Sequence, residues 1–183
     1  MKKNLNQNIN ETTQYVRSCY QNYPDFPIKG IQFKDFSRLW NTPEKFGTII
    51  SYFFDYLKNL DFDGLIAPEA RGFIIGSVLA YKLNKPLVLA RKENKLPGDL
   101  FSTEYDYEYG SAKLTVKKDT IKAHARYIFI DDVCATGATF KAVNNLVNMA
   151  NSKIINQVYV AVLKNIPKKK IINNFDCFYL IDL

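Results

Sequence analysis

The sequence predicts an α/β fold, in which helices flank a central and mostly parallel β-sheet. Short apolar runs rich in β-branched and aromatic residues, typical of buried strands, alternate with longer segments whose apolar residues recur at helical spacing. These runs are apolar throughout rather than at every second residue, which indicates burial on both faces. Strands that alternate with helices in this way form parallel sheets covered by helices.

The N-terminal part is expected to differ from this pattern. A short helix over residues 11–20 precedes an arm, YPDFPIKGIQFKDF, over residues 23–36. Pro24, Pro27 and Gly30 interrupt the arm too often for a long regular element.

Beyond the arm the elements alternate. Pro43, at a favoured first-turn position, begins a helix that continues to about residue 59 with one apolar face. Further helices are expected at 72–83 and 138–150, with a short one near Pro167. Strands are expected at 63–68, 85–91, 127–130, 155–163 and 176–182. Between them, residues 92–106 are expected to form a loop and residues 107–116 one or two exposed strands.

The bulk composition is that of one globular domain with a substantial core. The chain has 183 residues, of which 47% are hydrophobic and 23% charged, and no repeat or linker divides it. We therefore expect a single domain over residues 1–183. The formal net charge of +7 is compatible with nucleic acid or with a small substrate rich in phosphate. A lysine triplet at 168–170 is more typical of a solvated face than of a binding site.

The expected compartment is the reducing cytoplasm. The cysteines, at positions 19, 134 and 177, are odd in number and show neither a metal-binding spacing nor a disulfide framework. The N-terminus lacks the apolar region of a signal peptide, and no apolar run approaches the ~20 residues of a membrane-spanning helix. We expect no membrane partner.

Polar clusters follow three of the predicted strands: APEARG, RKENKLPG and DDVCATGAT. Ligands of open α/β sheets bind at the carboxyl ends of the strands, so the three clusters are expected to converge on one site. In the third cluster a turn of small and hydroxyl residues, 135–139, runs into a helix, where backbone N–H groups and the helix dipole favour an anion. The spacing is neither that of a Walker A loop nor GxGxxG. The alternative is a simple turn capped by Thr136.

Asp131 and Asp132 directly precede this turn and are called the acid pair below. Carboxylates beside an anion site suit a sugar phosphate, since they accept hydrogen bonds from vicinal hydroxyls. The run of four apolar residues, two acids, two variable residues and ATGAT resembles the phosphoribosyl-pyrophosphate signature of type I phosphoribosyltransferases. The resemblance implies that the acid pair holds the ribose hydroxyls. It also implies that the 5′-phosphate is held by Ala135, Thr136, Gly137, Ala138 and Thr139. Ala138 departs from the second glycine usual in the closest relatives.

Other segments resemble the adenine phosphoribosyltransferase family: YPDFPIKGIQFKDFSRL, EARGF, ARKENKLPG and YEYGSAKLTVKKDTI, in the family's order and spacing. Together they cover roughly residues 15–150. The resemblance implies a type I phosphoribosyltransferase fold with an N-terminal hood, or base-binding arm, over 1–40 and a mobile catalytic loop over about 96–116. The implied reaction joins adenine to phosphoribosyl pyrophosphate, giving AMP and pyrophosphate in purine salvage. Mg²⁺ bound with the substrate, a homodimer and the absence of a nucleic-acid partner are implied as well.

The pyrophosphate residues implied by the resemblance are Glu69, Ala70, Arg71, Arg91 and Lys95. Arg71 is also counted as catalytic, and its alternative is a surface arginine after a strand. The Glu69–Ala70 peptide corresponds to a bond that is often cis in the family. Arg91 and Lys95 belong to a basic loop that acts in part across a dimer interface. Pro68 departs from the family, which usually has another residue there.

The arm is implied to bind adenine. Phe33 matches the aromatic residue that stacks on the base, and Val133 matches an apolar residue on the base's other face. Main-chain groups of Gln32 and Lys34 match those that recognise the edge of adenine. For Phe33 the alternative is a buried core role.

Two catalytic residues are implied in the mobile loop. Glu108 matches an acid that contacts the purine imidazole ring and can assist loss of the N9 proton as a general base. Tyr109 matches a hydroxyl near the leaving oxygen. A loop that excludes water would protect an oxocarbenium-like centre. The alternative is an exposed hairpin without a role.

Two other functions fit part of this pattern. A regulator that binds a sugar phosphate and controls DNA or RNA would share the basic charge, but the sequence shows no appended helix-turn-helix. An enzyme of the same fold that acts on orotate or another purine would share the acid pair and the 135–139 turn. The arm GIQFKDF favours adenine.

Overall fold

The computed structural model describes residues 2–26, 28–30, 32–107, 110–164 and 175–183. The chain divides into two compact units, residues 1–55 and 56–183. The expectation of one domain over 1–183 stays a prediction, and the two units are described separately.

The first unit contains a long helix and a small antiparallel sheet. Its elements are α1 (Lys2–Cys19), β1 (Gln21–Pro24), β2 (Gln32–Asp35), a 3₁₀-helix (Ser37–Asn41) and most of α2 (Pro43–Leu57), which begins at the expected proline. Helix α1 begins nine residues before the expected start at residue 11, because residues 2–10 are mostly polar and give no apolar periodicity. Within the arm, β1 and β2 pair in antiparallel register, with Tyr23 opposite Phe33.

The second unit contains the seven-stranded sheet. Its strands are β3 (Gly64–Pro68), β4 (Leu87–Lys92), β5 (Leu100–Tyr107), β6 (Gly110–Lys117), β7 (Arg126–Cys134), β8 (Lys153–Val162) and β9 (Asp176–Asp182). Their order across the sheet is β5-β6-β4-β3-β7-β8-β9. Strands β4, β3, β7, β8 and β9 are parallel to one another, and β5 and β6 are antiparallel additions. The expected α/β class with a mostly parallel sheet is confirmed.

Two helices connect parallel neighbours in this sheet. Helix α3 (Arg71–Leu83) leads from β3 to β4, and α4 (Ala138–Met149) leads from β7 to β8. The two connections run in opposite directions along the sheet, so right-handed crossovers place α3 and α4 on opposite faces. Phe129 of β7, Phe140 of α4 and Tyr159 of β8 are fully buried and in ring contact.

The antiparallel hairpin corrects two expectations. Residues 100–106 were expected in a loop but form β5, because pairing with β6 satisfies the backbone of a segment with no apolar alternation. Strand β6 was expected to be exposed, yet Leu114, Thr115 and Val116 are buried. A third difference is that β7 does not end at residue 130 but continues through the acid pair, because β8 pairs with it as far as Cys134.

The remaining expected elements are accounted for as follows. The short helix expected near Pro167 lies outside the described residues. Among the residues that the structure describes, no helix is both long and apolar enough to cross a membrane.

Candidate active site

The carboxyl ends of β3, β4 and β7 meet at one edge of the sheet. Strand β3 pairs in parallel with both others, with Pro68 opposite Ala90 and Ile66 opposite Phe129. The three polar clusters that follow these strands are therefore neighbours in space, as the sequence predicts.

The acid pair lies on the last part of β7. The side chain of Asp132 is 2% exposed, and Asp131 is half-buried. Asp131 Oδ1 accepts a hydrogen bond of 2.9 Å from the Asp132 N–H. Burial raises the pKa of Asp131 well above its ordinary value, and the neighbouring charge of Asp132 raises it further. Burial also raises the pKa of Asp132.

Arg71, the first residue of α3, forms an ion pair with the acid pair. Its Nε lies 2.9 Å from Asp132 Oδ2. The guanidinium opposes the effect of burial on the pKa of Asp132, so it favours the anionic form of that carboxyl. The structure thus joins Arg71, implied for pyrophosphate, to Asp132, implied for ribose. Sequence spacing alone did not indicate this contact.

Gly72 permits the close approach of α3 to β7. A Cβ built at Gly72 would lie 2.9 Å from the Ile130 carbonyl oxygen and 3.2 Å from Asp131 Oδ1. Any side chain there would displace the start of α3 from the acid pair. Gly72 was not among the predicted site residues, although a glycine in the first turn of a helix, where it lowers helix propensity, is a sequence signal for such a close contact.

The 135–139 turn leaves the sheet directly after β7. Gly137 has a φ of +77°, a conformation that glycine adopts without strain, and it is the N-cap residue of α4. Because the N-cap residue is a glycine, α4 has no side-chain cap. Thr136 Oγ1 instead accepts a hydrogen bond of 3.3 Å from the Ala138 N–H, so the threonine supports the turn one residue earlier than a cap would. Ala138 is 4% exposed, and its methyl group is part of the packing beneath the turn.

Glu69 and Arg91 form a second charged cluster at this edge. Arg91 donates from Nε and an Nη to the two Glu69 carboxylate oxygens, each at 3.3 Å, and the Lys92 N–H donates to Glu69 at 3.0 Å. The hydrogen bonds from Arg91 lower the pKa of Glu69. Arg91 also donates to the Lys95 carbonyl oxygen at 3.4 Å. The Glu69–Ala70 peptide is cis, in agreement with the expectation.

The arm residues lie in the first unit. Gln32, Phe33 and Lys34 form β2, and Phe33 is in edge-to-face contact with Phe26 at 5.2 Å between ring centroids. The side chains of Gln32 and Lys34 both hydrogen-bond Asn22, at 2.6 and 2.7 Å. Val133 lies in the second unit, half-buried on β7 beside Asp132.

The two expected catalytic residues of the loop, Glu108 and Tyr109, lie outside the described residues. The residues that flank them are paired across the hairpin, with Tyr107 opposite Gly110. The segment expected as a mobile loop is thus largely the β5–β6 hairpin.

No cluster of three or more His, Cys, Asp or Glu side chains suited to a metal ion occurs within the described ranges. The acid pair offers two carboxylates but no third ligand of this kind. Mg²⁺ commonly keeps several waters and binds through one or two carboxylates together with substrate phosphates. The residues present therefore fit a magnesium ion that arrives on the substrate, and they do not fit a cage made by the protein alone.

Comparison with known proteins identifies the family and gives the same fold. The family model for the phosphoribosyl transferase domain matches residues 41–181. The chain is 43% identical over 146 residues to an adenine phosphoribosyltransferase of Ureaplasma parvum serovar 3, covering 80% of this chain and 84% of the relative. This protein is a member of the adenine phosphoribosyltransferase family.

Solved structures of the family superpose on this chain over most of its length. Adenine phosphoribosyltransferase of Thermoanaerobacter pseudethanolicus matches with a TM-score of 0.87 and 33% identity, covering 93% of this chain and 99% of that one. The Saccharomyces cerevisiae enzyme, complexed with an imino-altritol bisphosphate and adenine, matches with a TM-score of 0.79 and 30% identity, covering 93% and 98%. The type I fold predicted from the motifs is confirmed.

Proposed function

We propose that this protein transfers the 5-phosphoribosyl group from phosphoribosyl pyrophosphate to adenine, giving AMP and pyrophosphate. The bond from C1′ to the pyrophosphate oxygen breaks, the bond from C1′ to adenine N9 forms, and N9 loses its proton. The observation that carries the proposal is the buried acid pair, placed between the 135–139 turn and Arg71 at one edge of the sheet. Family membership supports the same reaction, which belongs to purine salvage.

The acid pair is proposed to hold the ribose hydroxyls. Asp132 is buried and Asp131 half-buried, and burial raises the pKa of both acids, so further hydrogen-bond donors would stabilise their anionic forms. Two vicinal ribose hydroxyls would supply such donors. The 135–139 turn would hold the 5′-phosphate through its backbone N–H groups and the start of α4.

Pyrophosphate is proposed to bind where the two charged clusters meet, at Glu69, Ala70, Arg71, Arg91 and Lys95. Glu69 holds the Arg91 guanidinium in place, so this arginine is ordered before an anion arrives. Arg71 would turn from Asp132 toward the leaving group or contact both. Mg²⁺, carried by the substrate, would neutralise part of the phosphate charge.

Adenine recognition is proposed for the main chain of Gln32 and Lys34, with Phe33 stacking on the base. The side chains of Gln32 and Lys34 are already hydrogen-bonded to Asn22, which leaves the backbone as the recognising element. Pro24 faces Gln32 and has no N–H to donate. Hydrogen-bonded and non-hydrogen-bonded pairs alternate along an antiparallel ladder. Because Pro24 cannot donate, ladder hydrogen bonds are favoured at position 33, and the backbone groups of residues 32 and 34 then point to the open edge of β2. Val133 is proposed as a further apolar contact of the base.

Glu108 is proposed as the general base toward N9, and Tyr109 as a hydroxyl near the leaving oxygen. Both follow from the family's motif. The β5–β6 hairpin that carries them, over about 96–116, is proposed to close on the bound substrates and exclude water.

We also propose a homodimer and a cytoplasmic location. Ile74 and Tyr81, seven residues apart on one face of α3, are 38% and 87% exposed, and Leu89 of β4 is 39% exposed. A second copy of the chain would cover these apolar side chains. Leu89 shares a face of β4 with Arg91, so such an interface would be continuous with the basic loop. The three cysteines, all within the described residues, form no disulfide bond, which suits a reducing compartment.

An assay of pyrophosphate release with adenine, hypoxanthine, guanine and orotate tests the proposed reaction. At the same two positions, adenine presents a hydrogen-bond donor and an acceptor, whereas hypoxanthine presents an acceptor and a donor. A backbone edge that fits adenine would therefore have two mismatched hydrogen-bonding groups with hypoxanthine. Each unpaired group costs about 1–3 kcal/mol, so adenine should be preferred roughly a hundredfold or more. Equal kcat/KM for adenine and hypoxanthine would refute the adenine assignment. Turnover with orotate but not with the purine bases would assign the protein to a different activity of the same fold.

Substitutions in the arm separate stacking from edge recognition. Phe33→Ala should weaken adenine binding by about 1–3 kcal/mol through lost stacking. Gln32→Ala should change the base preference little, because the main chain performs the recognition. A Gln32→Ala enzyme that accepts hypoxanthine would instead assign recognition to the side chain.

A further inference from the structure

The loop between β4 and β5, residues 93–99, is held at both ends by β6 and the residue that follows it. At the start of the loop, the Glu93 N–H donates to the Lys113 carbonyl oxygen at 3.1 Å. At its end, the Lys118 N–H donates to the Asp99 carbonyl oxygen at 3.0 Å. The position of this loop on the sheet therefore depends on β6 as well as on β4, which leads into it.

Thr115 of β6 continues this contact to Arg91. The two residues lie opposite each other in antiparallel register, and Arg91 is the penultimate residue of β4. The Thr115 hydroxyl donates to the Arg91 carbonyl oxygen at 3.2 Å. Thr115 is 2% exposed, whereas the Arg91 side chain is 32% exposed. A buried hydroxyl thus holds the main chain of an arginine whose side chain stays accessible to an anion.

The Arg91 side chain is consequently fixed at both of its ends. Glu69 accepts hydrogen bonds from the guanidinium, and it also accepts one from the Lys92 N–H. The Thr115 hydroxyl acts at the other end, on the Arg91 main chain. A guanidinium is directed at an anion with little loss of entropy only where both the main chain and the planar group are held.

A valine would fill position 115 equally well if packing were the only role of this side chain. Leu114 and Val116, its neighbours in β6, are buried and apolar. Threonine and valine have nearly the same shape, but a buried hydroxyl costs free energy unless it is hydrogen-bonded. The hydroxyl therefore adds to packing a bond to the strand that carries Arg91.

We propose that Thr115 is a positioning residue for the pyrophosphate site: its hydroxyl fixes the main chain of Arg91 and with it the start of the 93–99 loop. The inference rests on the proposed function of Arg91 and deepens it. It assigns to Thr115 an effect on the affinity for the pyrophosphate group and none on the affinity for adenine.

Thr115→Val tests the proposal, because it removes the hydroxyl and keeps the shape of the side chain. In the reverse reaction, pyrophosphorolysis of AMP, the KM for pyrophosphate should rise about three- to tenfold, the effect of one lost hydrogen bond. The KM for AMP and, in the forward reaction, the KM for adenine should stay within twofold of wild type. A wild-type KM for pyrophosphate in Thr115→Val would overturn the proposal.

Thr115→Ser is the complementary variant, since it keeps the hydroxyl and removes the buried methyl group. It should melt at a lower temperature than wild type, because the lost methyl group leaves a cavity, and it should keep the KM for pyrophosphate within twofold. A purely structural role predicts instead that the KM follows stability. A rise in this KM in Thr115→Ser that equals or exceeds the rise in Thr115→Val would therefore contradict the positioning role.

Ser152→Ala is the matched control. Ser152 is 7% exposed, and its hydroxyl donates to the Lys122 carbonyl oxygen at 2.6 Å, near the amino ends of β7 and β8. This variant should lower the melting temperature and leave the KM for pyrophosphate unchanged. The same rise in this KM as in Thr115→Val would show that loss of any buried hydroxyl has this effect, and the specific role of Thr115 would be refuted.

Failure of the proposed function has a different signature. It would appear as absent turnover of adenine by the wild-type enzyme, whereas an unchanged KM for pyrophosphate in an active Thr115→Val enzyme refutes only the positioning role. Calorimetric titration with pyrophosphate and Mg²⁺ measures the same affinity without turnover. Thr115→Val should bind pyrophosphate about three- to tenfold more weakly than wild type. Equal affinities in this titration would refute the role of Thr115 whatever the substrate of the enzyme.

Discussion

Strand β7 has an arginine–aspartate cluster at each end, and the two clusters differ in burial rather than in chemistry. At the carboxyl end, Arg71 pairs with Asp132 at 2.9 Å; at the amino end, Arg126 pairs with Asp61 at 2.8 Å. The two arginine side chains are similarly exposed, 38% and 35%. The aspartate side chains differ in exposure: Asp132 is 2% exposed, Asp61 86% and Asp63 47%.

This difference is the one expected between a ligand-binding site and a structural cluster. Exposed ion pairs are screened by water and add little to stability. The exposed acids at the amino end hold the backbone, since Asp63 accepts a 2.7 Å hydrogen bond from the Arg126 N–H. At the carboxyl end Asp132 is buried and Asp131 half-buried, and burial raises the pKa of both, so their charged forms are costly. Such a cost is expected where a ligand, rather than the fold, uses the charge.

The largest expected effect is on turnover. Asp131→Asn combined with Asp132→Asn should lower kcat/KM by more than a hundredfold, because two hydrogen bonds to charged acceptors, worth about 1.5–3 kcal/mol each, are weakened in the ribose site. Asp61→Asn with Asp63→Asn, which keeps an oxygen acceptor at each position, should stay within twofold. Steady-state kinetics with circular dichroism as a folding control measures both. Near wild-type turnover in the Asp131/Asp132 variant would contradict the ribose assignment.

The next effect is on protection by ligand. Phosphoribosyl pyrophosphate at a hundred times its Kd should stabilise the native protein by about 2.7 kcal/mol, or roughly 5–10 °C for a chain of this size. The Asp61/Asp63 variant should show the same shift in a thermal-unfolding assay, and the Asp131/Asp132 variant should show a much smaller one. Equal shifts in both variants would place the ligand away from the acid pair.

Arginine substitutions are expected to have a smaller effect. Arg71→Gln should lower kcat/KM about thirtyfold, near 2 kcal/mol, through loss of a charge-assisted contact to the leaving group. Arg126→Gln, an equally exposed arginine, should leave kcat/KM within twofold. The two variants compared under saturating adenine would settle whether Arg71 serves the chemistry. Equal activity of Arg71→Gln and Arg126→Gln would reduce Arg71 to a surface ion pair.

The smallest expected effect is on stability as a function of pH. Burial raises the pKa of both members of the acid pair in the folded protein above the unfolded value of about 4, so the native state binds protons more tightly and the acids' contribution to stability falls as pH rises through their folded pKa values. The double Asn variant does not titrate there. It should match wild type near pH 4 and exceed it at neutral pH by an amount on the order of 1 kcal/mol, or roughly 2–4 °C. Melting curves across this range measure the difference. If the stability of wild type relative to the double Asn variant increased as pH rises, the predicted direction would be wrong.

The candidate site could be predicted from the sequence where its residues are consecutive along the chain. The acid pair and the 135–139 turn lie within nine residues, so the strand, the acids and the turn could be predicted from one continuous segment. They are also adjacent in the structure. Arg71 and Glu69 were identified by motif, but their partners were not. Asp132 is 61 residues from Arg71, and Arg91 is 22 residues from Glu69. Such pairs depend on which strands are neighbours and in what register.

The sequence by itself determined the fold class, the order of the main elements and the residues that carry charge and hydroxyl groups, because periodicity, propensity and short motifs are local properties of the chain. Only the tertiary structure decided that residues 100–106 form a strand and that Gly72 brings α3 against the acid pair. These features arise from pairing and close packing between distant segments. A polar residue in a strand has the same sequence pattern whether it hydrogen-bonds water or a buried side chain. Only the packed fold distinguishes these two cases.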